Sequence, residues 1–396
     1  MKKSVIICMT SMYLGGAEQS LIGLLEAFDY EKYNVSLFLF DQSGELMNDI
    51  PKEVHILPEI KEYKALEKPI SYAIKNGLWA IVAGRTIGKY KTKEYSRKFK
   101  DASDIIVGIE YKQKYTKRFL PVISDIEYDL AISFMVPHYV AAEKIKAKTK
   151  LAWVHTDYSE MHLDIESEYK MWNQYDYVVA VSESVANNFI KVFPKLDKKV
   201  IVIENILPIN SIRKKAESEI QEFDLDAIKL LSIGRFASAK NFENIPDICK
   251  RLINKGFNVK WYIIGYGPGE DQIRNKIKEL DVEDKVIVIG KKENPYPYIK
   301  ACDYYIQPSK YEGKSVTVRE AQMFGKPVII TNYSTSDSQL KNGFDGIIVP
   351  IENESCAESI ARLILDKDKS KELSSNCLKQ DYSNKEEINK LYKMIK

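Results

Sequence analysis

Short apolar runs that do not alternate with polar residues recur along this chain, with helical segments between them. A strand with one wet face alternates, whereas a run that is apolar throughout is buried on both faces. That is the condition of a parallel strand covered by helices. The first series is Ser4–Met9, Val35–Phe40, Val54–Leu57, Asp129–Phe134, Leu151–Val154, Tyr177–Val181 and Lys199–Ile203. The second is Lys229–Ile233, Trp261–Ile264, Val286–Ile289, Tyr304–Gln307, Val328–Ile330 and Gly346–Val349. Glu204-Asn205-Ile206-Leu207-Pro208 reads as the linker between them. The pattern predicts an α/β chain of two Rossmann-like domains, 1–207 and 208–378, with parallel sheets facing across a cleft. A length of 396 residues suits two domains. The tail from Glu386 to Ile395 reads as a basic amphipathic helix. Residues 60–120 are the least regular part of the first half.

One stretch of the second series carries the most chemistry: Tyr311-Glu312-Gly313-Lys314-Ser315-Val316-Thr317-Val318-Arg319-Glu320-Ala321. It follows a strand and precedes Gly325-Lys326-Pro327, a helix stop. With Glu312 in the loop and Glu320 two turns into the helix, the pair is separated by a rise of roughly 12 Å. The carboxylates cannot touch, but they can grip two ends of one elongated ligand. The helix N-terminus between them, with free N–H groups and a positive dipole end, suits a phosphate. Polyhydroxyl, phosphate, polyhydroxyl is the layout of a nucleotide-sugar. The bland alternative is two solvated surface charges. Ser315-Val316-Thr317-Val318 is a poor helix start by propensity, and Gly313 permits close backbone approach.

Other strand-to-helix turns add candidates. Gly234-Arg235-Phe236-Ala237-Ser238-Ala239-Lys240-Asn241 opens a helix expected to run through Leu252, and Arg235 and Lys240 suit a diphosphate leaving group. Gly15-Gly16, before a helix reaching Phe28, is either a tight turn or an anion cradle. His155 ends a strand, where open α/β sheets bind ligands. Gly265-Tyr266-Gly267-Pro268-Gly269 is not a dinucleotide fingerprint, since Pro268 intervenes and the glycine spacing is wrong.

Charge and cysteine content narrow the class. Lys+Arg 59 against Asp+Glu 56 is near balance and argues for no polyanionic partner, nucleic acid included. Between Arg85 and Arg118, however, eleven basic residues face only four acidic ones (Glu94, Asp101, Asp104, Glu110), with Trp79, Tyr90, Tyr95 and Phe99 interleaved or adjacent. Such a segment can lie on an anionic bilayer, or be a pair of solvated helices. Five scattered cysteines without a Cys-x-x-Cys spacing indicate neither zinc nor a disulfide framework. Only about six apolar residues follow Met1-Lys2-Lys3, too few for a signal peptide, and no run approaches a membrane span. The expected location is the cytoplasm, or the inner face of the cell membrane as a peripheral protein.

These motifs together resemble the retaining glycosyltransferases of family 4, of the kind that builds bacterial surface polysaccharides, which have the GT-B fold. The resemblance rests on the paired glutamates Glu312 and Glu320, on Arg235-Phe236 with Lys240-Asn241, on Gly15-Gly16 and on His155. It implies transfer of a sugar from a nucleotide-sugar, UDP-linked, to a glycan or lipid-linked glycan with retention of configuration. It places Gly15, Gly16, Ser315, Val316 and Thr317 at the donor phosphates and Lys291 in the donor-binding set. Glu312 would hold the sugar hydroxyls, Glu320 the ribose, and His155 would stand near the sugar. The final helix, about 379–396, would cross back to the first domain. As the sugar–phosphate bond breaks, negative charge grows on the diphosphate. Arg235, Lys240 and the N–H groups of Gly16, Val316 and Thr317 would stabilise it, so no metal or other cofactor is expected. The chain departs from the family's Gly-Phe-Gly in having Gly313-Lys314-Ser315, where Lys314 would alter the sugar pocket. The rival readings are a nucleotide-sugar epimerase on the same fold and an exported two-domain sugar-binding protein.

Overall fold

Val5, Ile7 and Met9 join one hydrophobic cluster, while Ile6 and Cys8 join another on the opposite face of the same strand. That two-sided burial explains why the run carries no polar alternation. The computed structural model describes residues 2–395 except 14, 99–104, 136, 157, 159–160, 221, 225 and 313–314. The chain divides into two compact units, Met1–Pro208 with Asn384–Lys396, and Ile209–Ser383.

The first unit holds a seven-stranded parallel sheet in the order β3-β2-β1-β4-β5-β6-β7. Its strands are β1 (Lys3–Met9), β2 (Tyr33–Leu39), β3 (His55–Ile56), β4 (Glu127–Ser133), β5 (Lys146–Val154), β6 (Tyr177–Ala180) and β7 (Val200–Val202). The register runs Val5 beside Val35 on one side and beside Leu130 on the other. The second unit holds a six-stranded parallel sheet in the order β10-β9-β8-β11-β12-β13. Here the strands are β8 (Ile228–Ile233), β9 (Val259–Ile264), β10 (Val286–Gly290), β11 (Tyr304–Gln307), β12 (Val328–Thr331) and β13 (Ile347–Val349). Both sheets grow outward from a central strand and then reverse, the order of dinucleotide-binding folds. The two-sheet GT-B architecture expected from the sequence is present.

Two segments differ from expectation. Residues 60–120 are regular: they form helices Lys61–Glu67, Ile70–Lys75, Trp79–Lys98 and Ile105–Thr116. The last two pack closely because Gly84 and Gly88 lie one turn apart. A Cβ at either would come within 2.8 Å of Thr116 or Tyr111 backbone. Interior glycine costs a helix about 1 kcal/mol, offset here by the close approach. The tail is not one long helix either. A single turn, Lys385–Glu387, leads into a short helix, Ile388–Tyr392. Its Tyr392 stacks on Tyr33 with centroids 4.4 Å apart and accepts a hydrogen bond from the Asp29 N–H at 2.8 Å.

The basic segment is largely engaged within the first unit. Glu94 pairs with Lys91 and Lys98, Glu67 with Lys112, Glu110 with Lys114 and Glu143 with Lys117. Arg85 donates to the carbonyls of Ala65 and Lys68. Lys89, Lys93, Arg97 and Arg118 remain exposed, as do Trp79 and Tyr90, each 65% exposed. Phe99, Lys100, Asp101 and Asp104 lie outside the described residues. No helix among the described residues is long and apolar enough to cross a membrane.

Candidate functional site

The two loops that carry most of the second-unit candidates leave the carboxyl ends of β8 and β11, the neighbours at which the strand order reverses. At such a point successive crossovers part to opposite faces and leave a crevice. After β8, Arg235 is exposed, and two single turns follow, Ser238–Lys240 and Phe242–Asn244, with Asn241 left-handed at φ 60° between them. The helix expected to begin in this run instead spans Ile245–Asn254. A left-handed residue interrupts the helical ladder, and Pro246 is tolerated only in a first turn. Lys240 therefore sits on a tight turn rather than on a helix.

The glycine-rich loop after β9 serves that turn. A Cβ at Gly265 would lie 1.9 Å from the Gly234 carbonyl oxygen, and one at Gly267 2.7 Å from that of Phe236. Gly267 has φ +150°. The two backbones are joined by Phe236 N–H to Tyr266 O at 2.8 Å and Gly269 N–H to Phe236 O at 2.9 Å. These glycines permit backbone to meet backbone and fix the segment that carries Arg235. Lys291, past β10, stands 5.3 Å over the Tyr266 ring of the same loop.

The β8 and β11 loops are tied together where Lys310 N–H donates to Ala239 O at 2.8 Å. This brings Lys240 to Glu312, Nζ to Oε1 at 2.5 Å, with the Glu312 side chain 9% exposed. Ser309 Oγ donates to the same Oε1 at 2.8 Å, and Gln307 Nε2 approaches it at 3.4 Å. Thr335 Oγ1 holds the Glu312 carbonyl at 2.6 Å. Helix Val316–Met323 begins just beyond. Gln339 clamps its cap residue: Ser315 N–H donates to Gln339 Oε1 at 2.6 Å, and Ser315 O accepts from Nε2 at 3.2 Å. Ser315 Oγ lies 3.1 Å from Thr317 Oγ1, and Val316 is exposed at the helix mouth. Glu320 occupies a different setting. It is buried, accepts from Tyr296 OH at 3.3 Å, and burial pushes its carboxyl up to about 7. Gly313 and Lys314, the departure noted in the sequence, lie outside the described residues.

In the first unit, Gly15 caps helix Gly16–Ala27 in an extended conformation. Open space surrounds the Cβ position of Gly16, whereas a Cβ on Gly15 would meet the Glu18 carboxyl at 2.3 Å. His155 follows β5, with Nε2 2.9 Å from Phe134 O and the ring against Phe134 and Trp153. Burial holds its pKa down at about 4. The imidazole is therefore neutral near pH 7. Because only a donor can pair with a carbonyl, Nε2 carries the proton and Nδ1 is an acceptor. Asp157 lies outside the described residues.

Sequence reasoning passed over Gln307, Ser309, Tyr296 and Gln339. Gln307 offered a signal, a glutamine closing an otherwise apolar strand; Gln339 offered none. Among the described residues, no group of three or more His, Cys, Asp or Glu is placed to hold a metal ion.

Comparison with known proteins bears on the fold and the family. Residues 213–380 match the family Glycosyl transferases group 1. An N-acetylgalactosamine-N,N'-diacetylbacillosaminyl-diphospho-undecaprenol 4-alpha-N-acetylgalactosaminyltransferase of Campylobacter jejuni is 26% identical over 51% of this chain and 54% of its own. The amylovoran biosynthesis glycosyltransferase AmsK of Erwinia amylovora is 28% identical over 35% of each. The chain thus spans about half the length, or less, of these curated relatives. The crystal structure of HepE from Anabaena in complex with UDP superposes with a TM-score of 0.60 at 17% identity, covering 99% of this chain and 98% of that one. The similarity to the family Glycosyl transferases group 1 thus lies in residues 213–380, in a chain with the two-sheet GT-B fold.

Proposed function

We propose that the protein is a glycosyltransferase that moves a sugar from a UDP-linked donor to a glycan or lipid-linked glycan, with retention of configuration, during assembly of a cell-surface polysaccharide. The observation that carries this reading is the Lys240–Glu312 pair, held where the strand order reverses and beside the mouth of helix Val316–Met323. A nucleotide-sugar needs a hydroxyl acceptor at one end, fixed positive charge in the middle and a second hydroxyl acceptor at the other. Glu312, the set Arg235 with Lys240 and the first-turn N–H groups of Val316 and Thr317, and Glu320 supply these in order. Positive charge aimed at the diphosphate is felt most strongly as the bond breaks, so it lowers the barrier rather than only tightening ground-state binding. The fixed cations do the work of a divalent ion. Gly15, Gly16, His155, Ser315 and Lys291 keep the donor roles that the family resemblance gives them. Polysaccharide assembly is supported by the names of the C. jejuni and E. amylovora relatives, and UDP by the ligand of the HepE structure.

A lipid-linked acceptor would bring the chain to the cytoplasmic membrane surface, and the exposed Lys89, Lys93 and Arg97, on the same helix as the exposed Trp79 and Tyr90, suit an anionic bilayer. The test of the function is incubation with a panel of nucleotide-sugars, with and without glycan acceptors. Release of nucleoside diphosphate that depends on acceptor supports the reading. Interconversion of donor sugars without release would favour an epimerase.

A further inference from the structure

Among the described residues, every side-chain donor to the Glu312 carboxylate converges on one of its two oxygens. Tyr305 OH donates to Gln307 Oε1 at 2.9 Å, which fixes the amide so that Nε2 points the other way. Nε2 then donates to Ser309 Oγ at 3.0 Å and reaches toward Glu312 Oε1 at 3.4 Å. Ser309 spends its own proton on Oε1 at 2.8 Å, and Lys240 adds an ammonium at 2.5 Å. Thr331 Oγ1 anchors the Ser309 carbonyl. Tyr305, Gln307 and Ser309 are all fully buried. Oε2 of Glu312 has no partner among the described residues.

We infer that Gln307 and Ser309 are positioning residues. They saturate Oε1, lock the carboxylate plane, and leave Oε2 as the one lone-pair surface offered to a donor-sugar hydroxyl. The physical reason for such a chain is preorganisation. A buried carboxylate held by three directed donors does not reorient when the ligand arrives, so no reorganisation is required as the bond breaks. The order of the chain matters, since each hydrogen in it has one direction. Tyr305 gives to Gln307, Gln307 gives to Ser309, Ser309 gives to Glu312. Breaking any link frees the next group to rotate. This inference rests on Glu312 binding the donor sugar, as proposed above.

The test pairs two readouts on Ser309→Ala and Gln307→Met, both of which remove a donor while nearly keeping volume. The first readout is the gain in calorimetric affinity of UDP-sugar over free UDP. We expect each variant to bind UDP within about twofold of wild type while losing most of that gain, with kcat down about 10- to 100-fold, the range seen when outer-shell partners of a site are removed. Ser309→Thr, which keeps the hydroxyl, should recover kcat. The second readout needs no activity. Because the donors meet on one oxygen, the fall in Tm caused by Ser309→Ala should shrink in a Glu312→Ala background. Additive Tm shifts, or equal losses for UDP and UDP-sugar, would overturn the positioning role. If the variants show non-additive Tm shifts but wild type shows no preference for any nucleotide-sugar, the network stands and the proposed function falls.

Discussion

Lys240 and Glu312, the pair on which the proposed function rests, are each the other's counter-charge. With the carboxylate 9% and the ammonium side chain 22% exposed, removing the cation leaves a largely buried anion with only neutral donors. Lys240→Met should therefore lower unfolding stability by roughly 1–3 kcal/mol, less than for a fully buried pair, and abolish most turnover; an unchanged denaturation midpoint would deny the pairing. Glu320 has a different physics. Burial raises its carboxyl from 4.5 to about 7, so the fold favours the protonated form. Its stabilising contribution is full below pH 4.5 and is lost as the pH rises to about 7. Ribose hydroxyls donate to the charged form, so nucleotide affinity should rise between about pH 6 and 8 with release of a proton. Calorimetry in buffers of different ionisation enthalpy measures that proton, and Glu320→Gln should abolish both effects. Glu312, Arg235 and Lys240 stand out in the sequence because they follow strand ends, and Glu320 through its eight-residue offset from Glu312. The relay through Gln307 and Ser309 was not, because hydrogen-bond direction depends on three-dimensional proximity that spacing does not encode.

The glycines sort themselves at the scale of loops and helices. Gly267→Ala would force a left-handed backbone and a contact with Phe236, at a cost of roughly 1–3 kcal/mol, and would shift the turn carrying Arg235. Gly16→Ala meets nothing within 4 Å, and alanine is the better helix former by about 1 kcal/mol. The second variant should fold at least as well as wild type, so a rise in donor KM would report ligand contact directly. The central strand cores were readable, since burial on both faces left no alternation, although the edge strands β3 and β7 are only partly buried. Their edges were less so. β5 extends back to Lys146 through Lys-Ala-Lys-Thr-Lys, where solvent-facing lysines hide a strand that pairs with β4 from Glu127 onward. The hairpin of Trp79–Lys98 and Ile105–Thr116 was obscured in the same way, by charges whose partners lie partly on the same helix (Lys91 and Lys98 with Glu94) and partly on other elements (Lys112 with Glu67, Lys117 with Glu143). If this hairpin meets a bilayer, Lys89→Gln, Lys93→Gln and Arg97→Gln together should abolish salt-sensitive sedimentation with anionic vesicles. Lys91→Gln, whose lysine already pairs with Glu94, should change it little; the opposite ranking would contradict a surface made of the exposed cations.

Across the whole chain, fold is retained where sequence has drifted: 17% identity to HepE accompanies coverage of 99% of this chain, while the family match is confined to residues 213–380. The matched part contains the loops after β8 and β11, which carry the proposed donor-site residues. The part outside it includes the basic hairpin. The same asymmetry decides where the account is most exposed to test. If Glu312 meets the sugar and Glu320 the ribose, the two glutamates must differ in what they recognise. Calorimetric titration of UDP and of the preferred UDP-sugar into Glu312→Ala and Glu320→Ala measures this. The account predicts that Glu320→Ala weakens both ligands alike, while Glu312→Ala leaves UDP affinity intact and weakens only the UDP-sugar. Equal loss of UDP affinity in both variants would contradict it.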